Sequence, residues 1–358
     1  MHERLLAWFD QNRRDLPWRR SRDPWAIWVS EVMLQQTRVE AVRAAYERFL
    51  ARFPKPADFA SASDDELLLA WKGLGYYRRA RLLRLGARAV VADHESRVPG
   101  EVSALGDLPG IGEYTRGAIA SIAFGRPEIA VDGNVERVVA RHRGISSDVK
   151  QKPAAPLIRT TVREWQSQDR PGDFNQALME LGATVCTPKT PRCPLCPLRS
   201  DCEARQKGLT ATLPVLSQRK ATLAVAARCL VVPIGQDRVL GARIPDGEIN
   251  AGQVELPTPG VLVNIADDAE LAHALAERYG LTFRIGALLG EVRHTITWHR
   301  IVLRAHEGRC DTRRARGGLV AAGREDSKVP WSTTSRKVFR TLFRAPESSK
   351  LLGPGTAG

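Results

Sequence analysis

Between residues 39 and 50, Val39, Val42, Tyr46 and Phe49 recur at three- and four-residue steps, which predicts an amphipathic helix. Ser63-Asp64-Asp65-Glu66 has the pattern of a capping box and opens the apolar run Leu67-Leu68-Leu69-Ala70-Trp71, which Gly73 and Gly75 then stop. An Arg- and Leu-rich helix is predicted from about 78 to 91. After a break at Pro99-Gly100, Leu108-Pro109-Gly110-Ile111-Gly112 reads as a tight turn between two helical stretches, the second running from Tyr114 to Phe124. Residues 1–205 thus read as nearly all helix. From 206 to 220 the chain turns polar and irregular, as a linker does. Beyond it the period changes: 223–233 and 300–305 read as β-rich and 269–279 as one helix. A smaller α+β domain is expected over 221–345, followed by a disordered tail over 346–358.

Length and composition narrow the class. The 358 residues suffice for two domains, and 43% hydrophobic with 26% charged residues is ordinary for a soluble protein. No apolar run has the length of a membrane span, and Met1-His2-Glu3-Arg4 leads into too short an apolar stretch for a signal peptide, so a cytoplasmic protein without membrane contact is expected. Lys and Arg number 54 against 40 Asp and Glu, a net charge of +14. A polyanion is the natural partner of that excess, because binding it releases counterions, although an Arg-rich genome produces the same balance.

Four of the six cysteines, Cys186, Cys193, Cys196 and Cys202, fall in one segment with the spacing C-x6-C-x2-C-x5-C. Four thiolates on one loop hold either tetrahedral zinc or an iron–sulfur cubane, and one wide gap before one narrow pair is unlike a zinc ribbon. Lys189, Arg192 and Arg199 lie among them, as phosphate contacts or as a solvated face. Cys229 and Cys310 read as ordinary side chains. At the Gly-rich turn, Gly110 and Gly112 allow close backbone approach to a phosphate, and the following helix start offers free N–H groups. About twenty residues later comes Val131-Asp132-Gly133-Asn134-Val135, where Asp132 is either a simple helix N-cap or an acid with work to do.

A hairpin, then an acid, then a four-cysteine loop resembles the helix–hairpin–helix DNA glycosylases. Leu16-Pro17-Trp18-Arg19, Trp28 through Thr37 with Glu31 at its centre, Trp71-Lys72-Gly73-Leu74-Gly75-Tyr76-Tyr77 and Val131 through Val135 narrow the resemblance to the adenine DNA glycosylase (MutY) family over about residues 5–205. The resemblance implies a mainly α, helix–hairpin–helix glycosylase fold with the hairpin at about 103–124 and a [4Fe–4S] cluster on the loop 186–202, in preference to zinc. It makes Glu31 the acid that protonates the purine and Asp132 the carboxylate that stabilises the sugar cation. The apolar neighbours of Glu31 suit a raised pKa, the alternative being a carboxylate on a helix surface. Tyr114 stands where lyase relatives place an attacking lysine, so a monofunctional enzyme is implied. Tyr114 then supports the cation and Asn134 positions Asp132, unless both merely pack and cap. Gln36 and Tyr76 are implied to enter or wedge the duplex, with Leu34 and Thr37 beside them, although Tyr76 also reads as core. Trp18, Arg19 and Gln176 are implied to surround the flipped base.

Residues 221–345 sit where that family carries a Nudix-like domain that reads 8-oxoguanine. Val254-Glu255-Leu256-Pro257, Ala276 through Leu281 and Arg293-His294-Thr295 keep its framework, but the clustered glutamates of a Nudix hydrolase are missing. The family's Phe-Ser-His step is Ile296-Thr297-Trp298 here, with Thr297 retaining a hydroxyl as a candidate lesion contact. The expected function is excision of adenine mispaired with 8-oxoguanine or guanine in base excision repair, by a monomer acting on double-stranded DNA. The altered loop keeps a different mispaired or damaged base open as the substrate. A non-catalytic iron–sulfur DNA-binding protein would need neither carboxylate.

Overall fold

The structure, a computed structural model, describes residues 1–217, 221–310 and 318–343. The expected tail at 346–358 lies outside the described residues. Two units are distinct, Met1–Arg219 and Lys220–Gly358. In the first, the chain forms α1 (His2–Asn12), α2 (Pro24–Leu34), α3 (Val39–Arg52), α4 (Pro56–Ala60), α5 (Asp64–Ala70) and α6 (Arg78–Asp93). It continues through α7 (Val102–Asp107), α8 (Glu113–Phe124), α9 (Gly133–His142), α10 (Ala154–Trp165), α11 (Pro171–Thr184) and α12 (Glu203–Gln206). Among the described residues no helix is long and apolar enough to cross a membrane.

Helix α2 anchors one of two apolar cores. Asp23 caps it by accepting from the Ala26 N–H at 2.7 Å, and Pro24 occupies the first turn, where a missing N–H costs nothing. Every residue from Trp25 to Met33 is buried. A helix apolar on all sides must be enclosed on all sides, and α2 is enclosed by α3, α6 and α8, with Trp25 and Trp28 meeting edge to face at 5.8 Å. The second core joins Leu5 and Phe9 of α1 to Val135 and Val139 of α9, Ile158 of α10 and Phe174 and Leu178 of α11. The capping box at Ser63 and Glu66 is formed. Residues after α12, which read as linker, return to this unit: Leu213 is buried, its carbonyl accepts from Arg141 Nε at 2.8 Å, and Val215 O accepts from Val149 N.

Among its described residues the second unit has two sheets. Strands β1 (Leu223–Val231), β2 (Pro233–Ile234), β3 (Arg238–Arg243), β4 (Val254–Glu255), β5 (Phe283–Ile296), β6 (His299–Cys310) and β7 (Leu319–Gly323) accompany α13 (Asp268–Tyr279) and α14 (Thr333–Leu342). One sheet runs β1-β6-β5, with β1 parallel to β6 and β5 antiparallel to it; in the other, β3 pairs with β2, β4 and β7. Two framework blocks meet inside it, where Arg278 of α13 stands 3.6 Å from buried Glu255 of β4. Burial pushes the Glu255 carboxyl up to about 8 against the pull of that guanidinium. Cys229 is buried as an ordinary core side chain. Thr297 sits on the β5–β6 turn with φ of +52°, and its hydroxyl donates to Ile296 O at 2.7 Å.

Candidate active site

Where the two cores of the first unit meet, a cleft of about 770 Å³ opens. Glu31 reaches it from α2, Tyr114 from the first turn of α8, and Asp132 and Asn134 from the start of α9. Trp18, Arg19, Leu34, Gln36 and Thr37 line it from the N-terminal side, Gly110 and Gly112 from the hairpin, and Gln176 from α11. Of the catalytic and DNA-contact candidates singled out in the sequence, Tyr76 and Thr297 are not in its lining. Tyr76 is 46% exposed on the turn before α6, and Thr297 belongs to the second unit.

Glu31 is only 6% exposed and is the one charged residue within α2. Burial pushes its carboxyl up to about 7, the nearby Asp132 charge adds to the rise, and a hydrogen bond donated by Tyr114 Oη together with the Arg19 charge moderates it. Met179 Sδ lies 3.3 Å from the same phenol oxygen, and burial followed by the charges of Glu31 and Asp132 raises the phenol well above the ordinary value. The carboxyl therefore holds a proton near neutrality, and the phenol stays neutral.

Asp132 is the N-cap of α9. Its Oδ1 accepts from Asn134 N at 2.9 Å and Val135 N at 2.8 Å, and its Oδ2 accepts from Asn134 Nδ2 at 2.7 Å. Capping and cleft-lining are thus the same position rather than alternatives. Asn134 is held in turn by Arg137, whose guanidinium donates to Asn134 Oδ1, Gly182 O and Cys186 O, each at 2.8 Å. Close packing of α9 on α11 depends on Gly182, where a Cβ would stand 2.6 Å from Asn134 Cβ. At the hairpin, Gly110 has φ of +82° and no room for a Cβ against Leu82. Gly112 is the N-cap of α8.

Glu180 of α11 went unnoticed in the sequence, although its setting, Met179-Glu180-Leu181, has the same feature as that of Glu31: a carboxylate inside an apolar helix. It accepts from Arg14 Nε at 2.7 Å, Arg14 Nη2 at 2.8 Å and Arg19 Nη2 at 2.9 Å. Burial works to raise its pKa, but the two guanidiniums outweigh burial and hold it at about 2. Its ion pairs are therefore intact above the ordinary carboxylate range and are lost as the pH falls towards 2. Glu180→Ala leaves two arginines without their shared partner and is expected to cost about 3–5 kcal/mol. Urea melts at pH 7 and pH 3 will show it, the difference from the parent shrinking at pH 3; equal stability of the two proteins at pH 7 would refute the anchoring role.

The four clustered cysteines line a separate small pocket with Val138, Arg141 and Leu198. Burial, with the mutual repulsion of the neighbouring thiolates, pushes Cys196 up to about 11 and raises Cys202. Arg141 Nη1 lies 3.4 Å from Cys186 Sγ and also donates to Thr187 O. Among the described residues no three His, Cys, Asp or Glu stand close enough to hold a single metal ion. Four thiols spread around a pocket, beside a buried guanidinium that favours bound thiolates, fit a group larger than one ion. Arg192 and Arg199 of this loop donate to the backbone carbonyls of Thr184 and Pro194.

Residues 29–164 match the family described as "HhH-GPD superfamily base excision DNA repair protein". The chain is similar to the adenine DNA glycosylase of Homo sapiens, 49% identical over 212 residues that make up 57% of this chain and 39% of the relative. It thus spans less than half of that protein's length. Among solved structures, a thermostable thymine-DNA glycosylase is 31% identical with a TM-score of 0.53, covering 57% of this chain and 95% of its own. A non-covalent endonuclease III–DNA complex, 24% identical with a TM-score of 0.50, covers 58% and 94% and shares the fold.

Proposed function

The chain belongs to the adenine DNA glycosylase (MutY) family of the HhH-GPD superfamily, and from that premise we propose that it is a monofunctional glycosylase that removes adenine mispaired with 8-oxoguanine or guanine from duplex DNA. The observation that carries this reading is the unequal pair of carboxyls in one cleft: Glu31, raised to about 7 by burial, beside Asp132, fixed at a helix N-terminus. A carboxyl that holds a proton and a second carboxyl facing the same cleft are what glycosidic cleavage needs. Glu31 gives its proton to the purine ring of an extruded adenine. The bond between the sugar's anomeric carbon and the base nitrogen then breaks, and its electron pair leaves with the protonated base. Asp132 faces the cationic sugar until water adds at the anomeric carbon and releases a proton. Tyr114 has no amine with which to form a Schiff base, so the strand stays whole.

Cys186, Cys193, Cys196 and Cys202 would hold a [4Fe–4S] cluster, which when bound supplies a redox-active group and ties the loop to α9. The second unit is read as the divergent Nudix-like, lesion-facing domain. One observation favours a second reading, a different target or opposite base: the Thr297 hydroxyl is already engaged with the carbonyl of its own neighbour.

A duplex panel tests the proposal. Brown, cluster-loaded protein is incubated with A, T, U or hypoxanthine opposite G, 8-oxoguanine, C or T. Release of adenine from A:8-oxoguanine and A:G alone is expected, with strand breaks only after alkali. Release of another base moves the assignment to the second reading, breaks without alkali contradict monofunctional chemistry, and colourless active protein ends the cluster assignment.

A further inference from the structure

Arg79, in the first turn of α6, makes more contacts than a surface arginine has reason to make. Its Nη1 donates to Val32 O at 2.5 Å and Met33 O at 3.0 Å, the carbonyls left open at the end of α2. Its Nη2 donates to Thr37 Oγ1 at 3.0 Å, in the loop after α2, and to Leu74 O at 3.1 Å and Gly75 O at 3.3 Å, in the loop before α6. The guanidinium lies between two rings, with Trp71 and Tyr76 each 5.6 Å away. Three separate segments are thus held by one planar group.

Both of those loops carry a residue in a backbone conformation that side chains other than glycine rarely adopt. Gln36 has φ of +56° and Tyr76 has φ of +46°. Left-handed backbone at non-glycine positions persists only where surrounding bonds over-determine it. Arg79 supplies such bonds: the Gly75 carbonyl precedes Tyr76, the Thr37 hydroxyl follows Gln36, and the Tyr76 ring lies against the guanidinium. The other end of the same group grips α2 one and two residues past Glu31.

We propose that Arg79 is a positioning residue that locks the Gln36 and Tyr76 loops into one rigid probe and ties that probe to the helix carrying Glu31. Opening of the duplex and placement of the acid then share one mechanical element. The inference rests on the reading above, in which Gln36 and Tyr76 enter DNA. A lysine cannot replace the fork, since an ammonium has three donors for five acceptors and no plane to lie between rings.

The test uses Glu31→Gln protein, so that DNA is bound but not consumed, and a duplex with 2-aminopurine beside the mispaired adenine, whose fluorescence rises when stacking is broken. Parent protein at saturation gives the full rise. Adding Arg79→Met or Arg79→Lys is expected to leave binding saturable by anisotropy while the rise at saturation falls at least about threefold, because the electrostatic contacts remain and the wedge does not. A general loss of folded protein would lower the bound fraction, not the amplitude at saturation. A full rise in both variants, loss of all binding by variants that melt like the parent, or failure of both to fold would each overturn the proposal. Absence of any rise with the parent protein would instead defeat the duplex-opening reading itself.

Discussion

Glu31→Gln will lower single-turnover excision about 10²- to 10⁴-fold, the range set by losing a positioned general acid, while mispaired DNA still binds. Glutamine keeps the size of the side chain and an oxygen to accept from Tyr114, so the cleft stays shaped; what disappears is the proton. The same proton predicts the pH dependence. Excision by the parent needs the acid form of Glu31, so its rate will fall as the pH rises through about 7. Stability follows the same sign. The folded pKa lies above the ordinary 4.5, so the native state holds the proton more tightly than the unfolded chain, and Glu31's contribution to stability is whole below 4.5 and lost as the pH rises through 7. Glu31→Gln removes that loss and should be the more stable protein above pH 7, by on the order of 3 kcal/mol. Quench-flow excision assays and thermal melts at pH 5 and pH 8 measure both effects. Turnover within tenfold of the parent, or a stability difference that does not grow with pH, would refute the assignment.

Asp132→Asn will separate the structural duty of that residue from its chemical one. Asparagine caps helices as well as aspartate does and can accept the same bonds from the Asn134 and Val135 N–H groups, losing only the bond from Asn134 Nδ2, so the melting free energy should fall by no more than about 1.5 kcal/mol. Excision should nevertheless fall by about 10²- to 10³-fold, since the sugar cation loses its counter-charge. One further change marks the role as electrostatic. The Asp132 charge helps raise Glu31, so neutralising it lowers the Glu31 pKa and moves the falling limb of residual activity to lower pH. An active Asp132→Asn protein, or an unfolded one, would each sink the idea that cap and counter-charge are one group with two effects.

The parts of this site that can be read from sequence are those whose physics is local. Glu31 stands out because it interrupts an apolar run, Asp132 because a Gly and a helix follow it, and the Ser63 capping box because its partners are three residues apart. What stays hidden depends on distant partners. Glu180 looks like a helical carboxylate until Arg14 and Arg19, more than 160 residues away in the chain, fold against it. Arg79 looks like one of many arginines in a basic segment, and nothing in its neighbourhood reveals the three backbone segments it joins. Strand β5 escapes for another reason. Register shifts between Ile285 and Leu288 and between Leu288 and Gly290 break the two-residue alternation by which a strand is recognised. Residues 207–217 are polar enough to look like linker, yet buried Leu213 and the carbonyl that Arg141 seizes bring them home.

The burial of α2 on every side, Glu31 included, has a consequence for the chemistry. No face of this helix is content in water, so it has little reason to persist outside its finished surroundings. Away from those surroundings, the burial that raises the Glu31 carboxyl is absent. On the proposed reading, the proton that Glu31 donates is thus held only where α2 is enclosed, so the acid and the closed core come as one.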